Sequence, residues 1–270
     1  MRRATGSSIP DVAEPGWLPP APVSPAAAPL PGRDLLDQYW RDLTFLHWRV
    51  PAETVAPLLP PGTRPDVHDG SSWAGLIPFR LTRAGFGSGP ALPYVGTFPE
   101  TNVRLYSVDT AGRRGVVFRS LESARLAFVL GARLALGLNY TWARMRIVER
   151  DGVLTYTTRR RWPAPRGAAS RVVVRIGSTV VAGDPLADFL TARWGLHTWR
   201  FGRTLYLPNT HDTWPLVTAE LLELDDELLS VAGLPGLAER PPDSVLFSPG
   251  VRTQFGAPAR GSAAGLAAAG

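Results

Sequence analysis

From residue 43 onward the apolar positions fall in short runs, rich in β-branched and aromatic residues, that stop at Gly, Pro or Asp. That pattern predicts strands at residues 43–50, 73–81, 102–108, 115–119, 141–150, 153–162 and 171–181, with further strands at 204–207, 219–224 and 251–255. Turn residues at 109–114 and at Asp151-Gly152 join neighbours as hairpins, so the sheet is expected to be largely antiparallel. A helical period interrupts the strands. Residues 51–59 predict a short helix, and residues 120–136 a longer one in which Leu126, Leu130 and Leu134 recur every four positions before Gly137. Asp184-Pro185 supplies an N-cap and a first-turn proline for a helix to about residue 194, and a short helix is expected near 226–231.

The pattern fades at both ends. Residues 1–33 are Pro- and Ala-rich with little to pack except Trp17 and Leu18, which predicts a disordered or polyproline-like arm; residues 34–257 make one domain, and residues 258–270 a low-complexity, disordered tail. The start MRRATGSSIP lacks the apolar run of a secretory signal. The longest apolar segment, residues 126–138, is interrupted by Arg133 and too short to span a bilayer. A soluble, cytoplasmic protein without a membrane partner is the expectation.

Composition narrows the chemistry. All 29 residues counted as Lys+Arg are arginine and there is no Cys, so lysine amines, thiolate nucleophiles, thiolate metal sites and disulfides are excluded. The formal charge of +6 is concentrated: between residues 144 and 175, nine arginines stand against Glu149 and Asp151, a local +7 that leaves the remainder at −1. Nucleic-acid surfaces usually interleave basic side chains with exposed aromatics or put them on a recognition helix. Here ARMRIVER and TYTTRRRW alternate as strands do, which predicts a solvated sheet face or an anion-attracting rim and no nucleic-acid partner.

Residues 98–144 hold the candidate site. In FPETNVRLY, Glu100, Asn102 and Arg104 occupy alternate positions and therefore one face of a strand. Lining a pocket, they could bind a carboxylate or enolate through Arg104, orient it through Asn102 and move a proton through Glu100; the competing expectation is that Glu100 and Arg104 form a structural ion pair. Arg119, ending an apolar strand, and His47, within FLHWRV, are further pocket candidates, while Glu122 and Arg125 predict a local ion pair at the helix start. The four histidines, His47, His68, His197 and His211, lack metal-binding spacing. No nucleophile elbow or Gly-rich phosphate loop is present, so neither metal nor cofactor is expected.

The ordered segments YWRDLTFLHWRVP, LLPPGTRPDVHDGSSWAGLIPFRL, FPETNVRLY, GVVFRSLESARLAF, GLNYTWARM, DPLADFLTARW, WPLVTAELLELDDELLSVAGLP and FSPGV resemble the YqjF-like family, DUF2071, over residues 37–251. The resemblance implies an α+β fold similar to acetoacetate decarboxylase: mostly antiparallel β, cone-shaped and barrel-like, with a few helices and a buried pocket. In that enzyme a lysine forms a Schiff base with the substrate. The matching segment here, residues 118–140, offers only Arg119, Arg125 and Arg133 as cations, and a guanidinium is no amine nucleophile. The expected function is therefore binding of a small metabolite, with Arg104 suited to an anionic one. The alternative is a non-covalent acid/base enzyme, a dehydratase, cyclase or lyase acting on a small oxo-acid. A small-molecule ligand is the expected partner, and self-association is left open.

Overall fold

The computed structural model describes residues 16–260. Its strands and helices run β1 (Leu36–Val50), α1 (Ala52–Val55), β2 (Thr63–Pro65), β3 (Ser72–Phe86), β4 (Phe98–Asp109), β5 (Arg114–Ser123), α2 (Leu126–Leu136), β6 (Tyr140–Arg150), β7 (Val153–Trp162), β8 (Ala169–Val181), α3 (Pro185–Thr191), β9 (Gly195–Arg200), β10 (Arg203–His211), β11 (Leu216–Asp226), α4 (Leu228–Val231), β12 (Ser244–Phe255) and β13 (Ala259–Arg260). The strands form one 13-stranded sheet that closes on itself twice. One ring runs β4-β5-β6-β7-β8-β11-β12-β1-β3, the other β4-β5-β9-β10-β12-β1-β3, so both share the wall β12-β1-β3-β4-β5. Long strands make the sharing possible. In β12, Leu246 and Phe247 pair with β11, while Thr253 to Phe255 pair with β10. All pairings are antiparallel except β5–β6 and β5–β9, and α2 is the crossover that a parallel β5–β6 pair requires.

The shared wall has two apolar faces. On β1, β3 and β4, Leu46, Trp48, Leu76, Val103 and Leu105 face the nine-strand ring, where Leu154, Tyr156, Val172 and Val174 of β7 and β8 and Leu228 and Leu229 of α4 fill the core. Alternate residues on the same strands face the seven-strand ring. With both faces covered, every residue of β4 except Pro99 is buried, which is why its sequence reads as nearly continuous core.

Several boundaries differ from the sequence expectation. The helix expected at 120–136 begins only at Leu126, because Ser120 to Ser123 extend β5 and pair with β4 and, from Leu121, with β6. Glu122 consequently points into the sheet and pairs with Arg160 of β7 instead of Arg125, whose Nε donates to the Tyr94 carbonyl at 2.9 Å. β9 was not expected from the sequence, and β1 and β12 are far longer than the runs that announced them. Gly137, with φ of 67°, and Asp184, accepting from Leu186 N and Ala187 N, end α2 and cap α3 as their sequences predict.

In the basic segment 144–175 every arginine except Arg160 is exposed on or beside β6, β7 and β8. Of the arm expected to be disordered, residues 1–15 lie outside the described residues, and residues 16–33 run against the body. Leu18 N and Ala21 N donate to the carbonyls of Thr110 and Gly112 at 2.9 and 2.8 Å, Val23 packs with Phe189 and Leu190, and Trp194 Nε1 donates to Ser24 O at 3.0 Å. A proline-rich strand has few amides to satisfy, so a handful of such bonds is enough to seat it. At the other end Ala259 and Arg260 pair with β10, and the rest of the expected tail, from residue 261, lies outside the described residues. No helix among the described residues is long and apolar enough to cross a membrane.

Candidate functional site

The face of the shared wall turned toward the seven-strand ring is not fully packed. Between it, α2 and β10 lies a cavity of about 590 Å³, walled by aromatic side chains that include Trp40, Phe45, Phe79, Phe118, Phe128 and Trp214. Leu35 and Phe86, 45% and 67% exposed, mark its mouth, whereas Glu100, Asn102 and Arg104 on its floor are 3%, 5% and 8% exposed. Strand alternation thus brings together the three residues that the sequence placed on one face. Gln38 and Tyr140 add polar atoms to the same lining.

Arg104 sits opposite Gly75 of β3, and Gly75 in turn opposite His47 of β1. A Cβ on Gly75 would stand 2.9 Å from His47 Cδ2, so the missing side chain makes room for the imidazole. Arg104 Nε donates to Tyr106 Oη and Nη2 to the Leu190 carbonyl, each at 2.9 Å, and the guanidinium lies over the Phe45 ring at 5.5 Å. Among the described residues no carboxylate comes within ion-pairing distance of it. The nearby Asp66 is already engaged, joined to both Arg193 and Arg114. Two of the three guanidiniums here thus share one carboxylate, and Arg104 has none among the described residues.

Tyr106 organises the floor. Its hydroxyl donates to Leu190 O at 2.9 Å and accepts from Arg104, so His47 Nε2, 2.6 Å away, must be a donor to it, which fixes the tautomer. Burial and the neighbouring Arg104 and Arg193 hold the His47 pKa well below its ordinary range. His47 is a neutral ring behind the cavity, holding Tyr106, and not a lining residue as the sequence suggested. Arg119 is elsewhere altogether: its Nε and Nη1 donate to Ala232 O and Leu58 O at 3.0 Å, tying the end of α4 to the 56–58 turn.

Among the described residues no cation pairs with Glu100. Burial pushes its carboxyl from an ordinary 4.5 up to about 8, offset in part by Tyr140 Oη, which donates to Oε2 at 3.1 Å. At neutral pH the side chain is a carboxylic acid, and the expected Glu100–Arg104 ion pair does not form. Asn102 Oδ1, midway between them, is buried and has no partner among the described residues. Tyr140, Trp40 and Trp214 were missed in the sequence; only Tyr140, in the GLNYTWAR segment, carried a signal, as the first residue of a strand leaving a glycine-ended helix.

A second polar set has the composition of a hydrolase triad. Ser107 Oγ lies 2.8 Å from His197 Nδ1, and His197 Nε2 3.5 Å from Asp109 Oδ2. All three are at most 1% exposed and none lines the cavity, so no substrate reaches them.

The position of Glu100 makes stability depend on pH. The folded chain binds a proton there that the unfolded chain releases, so the contribution is complete below about pH 4.5 and is lost as pH rises through about 8. His47, His197 and His211 are depressed in the folded chain, so unfolding lets each take up a proton below and around its ordinary 6.5, which makes stability rise with pH there and opposes the Glu100 slope. Relative to Glu100→Gln, which keeps the histidine contribution, wild-type stability should fall by up to roughly 1.4 kcal/mol per pH unit between about pH 5.5 and 7.5. Urea melts of the two proteins across that range give the difference, and equal slopes of stability against pH would contradict a neutral Glu100.

Comparisons with known proteins bear on this geometry. Residues 37–252 match the family DUF2071, described as an uncharacterized conserved protein. The protein YqjF of Bacillus subtilis (strain 168) is 31% identical over 188 residues, covering 69% of this chain and 76% of that one. Among solved structures, acetoacetate decarboxylase from Legionella pneumophila superposes with a TM-score of 0.59 at 12% identity, covering 94% of this chain and 99% of that one. An acetoacetate decarboxylase-like enzyme from Sphingomonas wittichii RW1 gives 0.58 at 13%, covering 84% and 92%. At such identities the likeness establishes a shared fold.

Proposed function

The chain belongs to the DUF2071 family, and from the geometry of its cavity we propose that this member binds a small organic anion, non-covalently, with Arg104 as the counter-ion. The observation that carries the reading is the buried Arg104 guanidinium, which faces the cavity without a carboxylate partner among the described residues. A buried charge of this kind is costly unless paired. Asn102 Oδ1 offers an acceptor to a ligand hydroxyl or amide, and the neutral Glu100 offers a hydrogen-bond donor without adding negative charge that would repel an anion. A lysine imine is excluded because the sequence contains no lysine.

Native mass spectrometry of the purified protein tests the proposal. A co-purified acid released on denaturation, and retained by wild type but not by Arg104→Met, is the expected result. Recovery of only neutral molecules, held equally by both proteins, would refute it. A second reading is favoured by Glu100 specifically. A carboxyl titrating at about 8 is matched to proton transfer near neutrality, and its ionised form could take a proton from a carbon beside a carbonyl while Arg104 holds the anionic end of the same molecule. Solvent deuterium exchange into an oxo-acid, abolished by Glu100→Gln, would distinguish turnover from binding.

A further inference from the structure

The floor of the cavity is long. Glu100 and Arg104 are four residues apart on an extended strand, so their Cα atoms are roughly 13 Å from each other. Only Asn102 lies between them on that face, and the neighbouring strands place Ile77 and Leu121 beside Asn102 and Phe79 beside Glu100. An ionic end at Arg104 is therefore followed by a trough that is apolar except for Asn102, and the trough ends in an uncharged polar pair, Glu100 with Tyr140. A compact oxo-acid seated on Arg104 would leave the Glu100 end of this length unfilled. The volume of about 590 Å³ lies within the range of cavities that enclose much larger ligands.

Resting on the reading of Arg104 as the ligand's counter-ion, we propose that the ligand class is an elongated, amphipathic monocarboxylate. Its carboxylate pairs with Arg104, an apolar body about as long as the Glu100–Arg104 span lies in the trough, and an uncharged oxygen at the far end meets Glu100 and Tyr140. One cation and no second one among the described residues of the floor sets a single negative charge. The aromatic walls set an apolar body, and the acid at the far end favours a hydroxyl or carbonyl there over a bare methyl.

Calorimetric titration of the full chain with butanoate, octanoate, decanoate, ω-hydroxydecanoate and decanol tests this. Affinity is expected to rise about fourfold per added methylene, with ω-hydroxydecanoate tighter than decanoate. The gain of ω-hydroxydecanoate over decanoate is expected to vanish in Glu100→Gln/Tyr140→Phe. Butanoate binding as tightly as decanoate, with both lost in Arg104→Met, would overturn the elongated class while leaving the anion site intact. Decanol binding as tightly as decanoate, or decanoate binding unaltered by Arg104→Met, would overturn the anion site itself.

Discussion

Arg104→Met is expected to reduce the affinity of the cavity for carboxylates by about 2 to 5 kcal/mol, the usual loss when one partner of a buried charge pair is truncated, while leaving the stability of the unliganded protein within about 1 kcal/mol of wild type. The asymmetry follows from the hydrogen bonds. The two groups that Arg104 contacts, Tyr106 Oη and Leu190 O, bond to each other at 2.9 Å, and Tyr106 Oη keeps His47 as well. Neither is orphaned by the substitution. Removing a cation that lacks a carboxylate partner also relieves a desolvation cost, which offsets the lost packing over the Phe45 and Tyr106 rings. Carboxylate titrations and urea melts of the two proteins separate the effects. Marked destabilisation with unchanged affinity would mean that Arg104 is a structural residue and that the cavity takes no anion.

The sequence carried the site's framework because strand alternation is local. Three polar residues at even positions in an apolar run must share a face, and the resemblance to a barrel-like family implied that the face lines a pocket. Whether Glu100 and Arg104 paired was not legible. Spacing of four on an extended strand separates side chains that the same spacing on a helix would bring together, and the deciding facts came from elsewhere in the chain: Tyr140, 40 positions along, on Glu100, and Leu190, 86 positions along, on Arg104. Glu122 illustrates the same limit. Read as the start of a helix it had only Arg125 in reach, but SLES fits a strand equally well, and once β5 extends through Ser123 the carboxylate meets Arg160, 38 residues away. Arg119 and His47 stand out in the sequence as a charge and a ring in apolar strands. Burial among polar partners that the sequence could not place explains them without a role in lining the cavity.

Asp66→Asn is expected to cost the fold roughly 3 to 5 kcal/mol, which for a domain of this size lowers the thermal midpoint by about 2 to 4 °C per kcal/mol. Asp66 is 2% exposed and holds Arg193 through one oxygen and Arg114 through the other. Arg193 is itself 4% exposed, lies over the Tyr106 and Phe189 rings at 4.8 and 4.2 Å, and already has Nη2 without a partner among the described residues. Asparagine keeps the shape but removes the charge and presents a donor where a guanidinium needs an acceptor. Arg193→Met in the Asp66→Asn background should then recover part of the loss, because it removes the stranded cation, and the two substitutions should be far from additive. The comparison also bears on Arg104. Arg193 and Arg104 both lie over the ring of Tyr106, one compensated by Asp66 and the other by no carboxylate among the described residues. If Asp66→Asn melted like wild type, buried arginines here would need no counter-ion, and the inference that Arg104 awaits an anion would lose its physical basis.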